Sequence, residues 1–174
     1  MLVIGDSTSY GTGALESKNS LVGRLAKDFP NIEIVNASEN AMRMKRLHEK
    51  LQTLKGEKFD IIMIHIGGID MMSFTPSAKI HTLAKDIFSF TQELSAQKVL
   101  LVSMNNPVSA PLFRFPVNHI LDKRSKMLTD VFADVCARSS IDHVPLYVND
   151  PDDPFHSDPE RYYAYDGVHP NDEG

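Results

Sequence analysis

The sequence predicts an α/β fold in three layers, five parallel strands between two layers of helices. Three observations predict it. Short apolar runs of strand length alternate along the chain with longer segments whose apolar residues recur at helical spacing, which is the pattern of βαβ units. The run Asp60-Ile61-Ile62-Met63-Ile64-His65-Ile66 is almost wholly apolar, as expected of a strand covered on both faces. The chain has 174 residues, 42% hydrophobic and 24% charged, which is enough for one domain with a real core. No internal repeat and no linker divides it.

The elements follow in order. Leu2-Val3-Ile4 is the first strand. Leu21, Val22, Leu25, Ala26 and Phe29 then mark one face of a helix, and Ile32-Glu33-Ile34-Val35 a second strand. Met42 to Leu54 is predicted helical, with Leu47, Leu51 and Leu54 on one side. After the central strand at 60–66, Thr75 is placed as an N-cap and Pro76 at the first helical position. Ile80, Leu83, Ala84, Ile87, Phe88 and Leu94 form the inner face of that helix. Val99-Leu100-Leu101-Val102 is the fourth strand. Ile120, Met127, Leu128, Val131, Phe132 and Val135 form the stripe of the last long helix. His143-Val144-Pro145-Leu146-Tyr147 is the fifth strand, although it contains a proline, which cannot donate to a ladder. Two segments are irregular: Asn105 to Val117, with three prolines, and Asn149 to Pro159, rich in Asp and Pro. Loops of that length in a compact domain are often functional.

Composition excludes several classes of function. Eighteen Lys and Arg against 23 Asp and Glu give a net charge of −5, with no basic cluster, so nucleic acid is not the expected partner. No apolar run approaches the roughly 18 residues of a membrane span, so no stable membrane insertion is expected. Cys136 is the only cysteine, which excludes an intramolecular disulfide and a thiolate zinc cage; it reads as core packing. The seven histidines include no pair at the four-residue spacing of a zinc protease, and His65 within the central strand reads as a satisfied core histidine. Asp150, Asp152, Asp153 and Asp158 lack calcium-loop spacing and read as a solvated loop. Gly5 to Gly13 lacks the lysine of a phosphate loop. No metal and no cofactor is therefore expected. A lone cysteine and no secretory leader after Met1 point to the cytoplasm. Nothing in the sequence sets the oligomeric state.

In an open parallel sheet, ligands bind beyond the carboxyl ends of the strands. Polar clusters fall at those ends: Gly5-Asp6-Ser7 after the first strand, Asn36-Ala37-Ser38-Glu39-Asn40-Ala41 after the second, and Gly67-Gly68-Ile69-Asp70 after the third. Beyond the fifth strand comes Asp166-Gly167-Val168-His169-Pro170. The chemistry these residues can do together is acyl transfer. A serine hydroxyl needs an imidazole to take its proton, and the imidazole needs an acid to hold its tautomer. Ser7, His169 and Asp166 supply one of each, and a three-residue spacing lets one short loop present both partners. The Ser7 N–H, at the mouth of a helix, is placed to donate to a tetrahedral oxyanion.

Gly5-Asp6-Ser7 directly after the first strand, with Asp166-x-x-His169-Pro170 near the C-terminus, resembles the GDSL or SGNH hydrolase family over nearly the whole chain. The resemblance implies a flavodoxin-like five-stranded sheet, with Ser7 as nucleophile, His169 as general base and acid, and Asp166 as its orienter. It implies a serine-dependent hydrolase of small-molecule acyl esters. It also implies that Ala41 stands where the family has a glycine whose N–H joins the oxyanion hole. Ile69 stands where the family has an asparagine whose amide is a further donor. Losing one such donor costs about 10²- to 10³-fold in turnover, and Asn40 or Asn105 is the candidate replacement. Gly68, Ile69, Asp70 and Met71 are expected at the substrate, with Met72 and Phe74 beside them. Leu112, Phe113 and Phe115 either cap the pocket, with Arg114 contacting an acidic or phosphorylated substrate, or pack against the last helix. The departures at Ala41 and Ile69 also fit a catalytically weakened or non-catalytic binding member of the same fold, and an acyltransferase is a third reading. The resemblance also implies a further helix after Gly174, so the expectation is a single domain over 1–174 lacking that helix. The chain is then expected either to be trimmed or partly ordered, or to expose an apolar strip on the sheet where the helix would pack.

Overall fold

Leu2, Val3 and Ile4 are completely shielded from solvent, and the sheet is built outward from them. The computed structural model describes residues 1–149 and 152–174. Its strands are β1 (Leu2–Gly5), β2 (Val35–Asn36), β3 (Ile61–Ile66), β4 (Lys98–Ser103) and β5 (Ile141–Pro145). They form one five-stranded parallel sheet in the order β2-β1-β3-β4-β5. The fold expected from the sequence is thus the fold observed. Reversal of strand order about β1 and β3 makes their carboxyl ends the place where a crevice opens.

The helices are α1 (Ser7–Tyr10), α2 (Leu21–Asp28), α3 (Met44–Thr53), α4 (Gly68–Met72), α5 (Ser77–Glu93), α6 (Val117–Ala137), α7 (Pro154–Ser157) and α8 (Pro159–Tyr162). On one face of the sheet, Ile62, Ile64 and Ile66 meet Leu47 and Leu51 of α3, Ile80, Ala84 and Ile87 of α5, and Leu128 and Phe132 of α6 in one continuous core. The opposite face carries Met63, Val102, Val144 and Leu146, which border a groove with Leu21 and Arg24 of α2. Val144 and Leu146 are each 41% exposed there, and α2 buries none of its own residues completely.

Several boundaries differ from the sequence expectation. Strand β2 is Val35–Asn36 rather than 32–35, with Val35 opposite Leu2 and Asn36 opposite Val3 of β1. Strand β5 starts at Ile141, paired with Val99, and Pro145 occupies its last position on the sheet edge. Helix α5 starts at Ser77, not Pro76, and Thr75 does not cap it; the Thr75 hydroxyl donates to Asp70 Oδ1 at 2.8 Å. In α6 the buried stripe runs through Leu121, Ser125, Leu128 and Phe132, leaving Ile120 48% exposed. Ser125 hid that stripe: its hydroxyl donates to the Asn105 carbonyl at 3.0 Å, so a polar residue sits satisfied on an apolar face.

Cys136 is buried in α6, and burial pushes its thiol up to about 11, as a packing cysteine requires. Asp153 and Asp158 cap α7 and α8 through the N–H groups of Phe155 and Arg161. Asp150 lies outside the described residues. Among the described residues no helix is long and apolar enough to cross a membrane, and no group of three or more His, Cys, Asp or Glu is placed to hold a metal ion.

Candidate active site

Strand β1 ends on Gly5, where a Cβ would lie 2.0 Å from the His65 carbonyl oxygen, so only glycine lets β1 and β3 approach there. Asp6 then turns the chain. Its carboxylate accepts from the Thr8 N–H at 3.3 Å as the N-cap of α1, and its carbonyl accepts from the Ser9 hydroxyl at 3.1 Å. Ser7 is thereby fixed as the first residue of α1 at the carboxyl edge of the sheet.

From the far end of the chain, Asp166 Oδ1 accepts from the N–H groups of Val168 (2.9 Å) and His169 (3.0 Å), closing a tight turn through Gly167 at φ 70°. The Gly167 carbonyl accepts from the Leu112 N–H at 3.0 Å, which ties this turn to the Pro-rich loop. His169 Nδ1 lies 2.6 Å from Asp166 Oδ2, and His169 Nε2 lies 2.7 Å from Ser7 Oγ. An ionised carboxylate can only accept, so Nδ1 carries the proton and Nε2 presents its lone pair to the Ser7 hydroxyl. Burial raises the Asp166 pKa, but the two N–H groups and the imidazole outweigh it and hold the carboxyl below its ordinary value. The three residues chosen from sequence are brought together in one hydrogen-bonded chain.

The loop after β2 forms the second wall. Asn36 donates to the Ser9 carbonyl at 3.0 Å and accepts from the Ser38 N–H at 3.1 Å. The Glu39 N–H donates to the Gly5 carbonyl at 3.0 Å. The Glu39 carboxylate is gripped by Arg46 through two 3.0 Å bonds and by Lys50 at 2.9 Å. Those two cations hold its carboxyl down at about 2. Tied at both ends, the loop carries Ala41 at φ 56°, the left-handed region in which an alanine Cβ is crowded. Neither the Ser7 N–H nor the Ala41 N–H donates to any group among the described residues, and both residues line the same cleft. Two residues of one cleft thus keep an unused backbone donor.

Because Ala41 is exposed and strained, Ala41→Gly is expected to stabilise the fold by about 0.5–1 kcal/mol, strain relief exceeding the extra unfolded-state entropy of glycine. The urea midpoint should rise at unchanged slope; a lower midpoint would show that the left-handed backbone is not strained.

The third wall comes from α4. Gly68, Ile69 and Met71 line the cleft, as does Met72. Asp70 does not, contrary to the sequence expectation. It is 2% exposed, with Oδ2 accepting from the Met44 N–H at 2.8 Å and Oδ1 from Thr75. Successive side chains on a helical turn point about 100° apart, so position 70 faces α3 while its neighbours face the cleft. Asp70 thus serves the first turn of α3 as a remote cap.

The cleft has a volume of about 340 Å³. Ile69, Met71, Met72, Met104, Phe113 and Val168 make it mainly apolar, while its polar lining includes Asp6, Ser7, Thr12, Asn40, His65, Asn105 and His169. Asn40 accepts from the Thr12 hydroxyl at 2.7 Å. Of the Pro-rich loop only Phe113 lines the cleft among the three apolar residues expected there; Leu112 and Phe115 are 57% and 79% exposed, and Phe74 is 55% exposed. Arg114 is exposed and does not line the cleft. Sequence reasoning missed Thr12, Met104 and His65. Met104 follows β4 directly and the strand-end rule points to it; the other two carry no local signal.

Residues 3–174 match the GDSL-like lipase/acylhydrolase family. No curated protein matches the sequence. Among solved structures, the chain is similar to a member of the lipolytic protein G-D-S-L family from Veillonella parvula, with 15% identity, 99% of this chain and 89% of that one covered, and a TM-score of 0.77. It is similar to TesA, with 22% identity, 99% and 89% covered, and a TM-score of 0.75. It is also similar to the psychrotrophic esterase EstA from Pseudoalteromonas sp., with 20% identity, 99% and 87% covered, and a TM-score of 0.75. These likenesses agree with the parallel sheet, and the family match spans both blocks that carry Ser7 and His169. The chain belongs to the GDSL-like lipase/acylhydrolase family.

Proposed function

We propose that the protein hydrolyses small-molecule carboxylic esters through an acyl-enzyme on Ser7. The observation that carries this reading is the unbroken chain from Ser7 Oγ through His169 to Asp166, at 2.7 and 2.6 Å. His169 Nε2 takes the hydroxyl proton as Oγ attacks the ester carbonyl carbon. The carbonyl oxygen becomes the oxyanion, which the Ser7 and Ala41 N–H groups stabilise. The imidazolium returns the proton to the departing alkoxide, and the acyl group stays on Oγ. Water then gives a proton to His169 and attacks the acyl carbon; Ser7 Oγ leaves and is reprotonated, releasing the acid. The apolar walls at Met71, Met72, Met104 and Phe113 suit the acyl part of the substrate.

The test is a fluorophosphonate followed by intact-mass measurement. EstA has been solved in a form inhibited by monoethylphosphonate, and the same phosphorus chemistry is expected here. Wild-type protein should gain one adduct that Ser7→Ala lacks; no adduct after prolonged exposure would sink the esterase reading.

Ile69 supports a second reading, a weakened or non-catalytic binder, because its side chain has no donor for the oxyanion. On the esterase reading, Ile69→Asn adds an amide at the cleft and should raise kcat about tenfold or more. Equal inactivity of both proteins on a series of esters would favour the binder.

A further inference from the structure

We propose that His65 is a positioning residue for the nucleophile, acting through Asp6; this rests on the esterase reading above. His65 sits within the central strand β3, 5% exposed, and pairs in register with Gly5 on one side and Val102 on the other. Its Nδ1 lies 3.1 Å from Asp6 Oδ1, and its carbonyl accepts from the Asp6 N–H at 3.0 Å. The residue before the nucleophile is therefore held by His65 through both main chain and side chain.

Asp6 is 4% exposed, so water contributes little to its carboxylate. Oδ1 receives only two protein donors among the described residues, the His65 ring and the Thr8 N–H, and the latter is long at 3.3 Å. Because the carboxylate can only accept, Nδ1 of His65 carries the proton, and the bond is charge-assisted. The Ser7 N–H, in the next residue, donates to no group among the described residues. Without the His65 donor, the Asp6 side chain keeps only the long bond from the Thr8 N–H, and the turn that aims Ser7 Oγ at His169 is held less firmly. His65 thus fixes Asp6, and with it the residue that follows. That is a role in turnover beyond the filling of core volume.

The geometry dictates which variants distinguish the two roles. An asparagine amide nitrogen superposes on His Nδ1, whereas a glutamine amide nitrogen reaches the Nε2 position. His65→Asn should therefore keep kcat within about threefold, while His65→Gln and His65→Leu should lower it about 10- to 100-fold with KM within twofold. Steady-state turnover of a soluble ester, fluorophosphonate labelling rates and melting curves are measured on the same preparations. In an Asp6→Ala background, His65→Leu should have almost no further effect, since both act on one bond. Equal kcat for folded His65→Leu and wild type would overturn the proposal. So would equal kcat for the Asn and Gln variants, a comparison that holds even if the leucine variant does not fold, or multiplicative losses in the double variant. Wild-type protein that takes no fluorophosphonate would overturn the esterase reading, and this proposal with it; a labelled wild type with indifferent His65 variants overturns this proposal alone.

Discussion

Ser7→Ala is expected to lower kcat/KM on a soluble acyl ester by about 10⁴-fold or more, leaving only what the oxyanion donors and the cleft contribute. The loss is large because no other hydroxyl is aimed at the imidazole: His169 Nε2 bonds to Ser7 Oγ at 2.7 Å and to no other side chain among the described residues. His169→Ala should cost nearly as much, because the serine proton then has no acceptor within reach. The Ser7→Ala, His169→Ala double variant should be scarcely worse than either single one, since the two groups act in one proton transfer. Initial rates with a chromogenic ester read all three. Losses that multiply would show that the residues act separately and would refute the proton relay.

Asp166→Asn is expected to lower kcat by about 10⁴-fold, with little change in KM. Asparagine can still accept from the Val168 and His169 N–H groups through Oδ1, so the turn persists. Its amide nitrogen then faces His169 Nδ1, and two donors cannot bond. The imidazole responds by moving its proton to Nε2, the atom that must accept from Ser7. Retained folding with lost turnover is the expected signature, read by melting curves beside kinetics; wild-type turnover would show that the imidazole needs no orienter.

The same carboxylate sets a pH limit on the loop. Its pKa is lowered in the folded state relative to an unfolded value near about 3.9. Its contribution is therefore present above the unfolded value and is lost as pH falls through the lowered folded value. Side-chain exposure of 42% means that solvent screens much of this effect, so it is a local matter of the Asp166–His169 turn.

Much of this was legible in the sequence, and the reasons are specific. The three inner strands were found because buried parallel strands must be apolar on both faces, which marks 2–4, 60–66 and 99–102 without reference to anything distant. The edges were misjudged by two or three residues at β2 and β5, because pairing partners, rather than the residues themselves, decide where an edge strand starts. Ser7, Asp166 and His169 were found because strand ends are where a parallel sheet must place its ligands. Asp70 was misplaced for a related reason: the rule locates a residue at the strand end, but the turn of α4 decides which way it faces.

The sequence by itself determined the layered parallel fold and which side chains have the chemistry for acyl transfer, because both follow from residue type and short-range spacing. Only the tertiary structure decided that Ser7 and His169, 162 positions apart, meet at 2.7 Å. It alone decided that Ala41 is held left-handed, with its N–H and that of Ser7 both unused. It alone turned His65 from a core residue into the partner of Asp6. Register between strands and the closure of loops place those atoms, and neither quantity is local to any stretch of the chain.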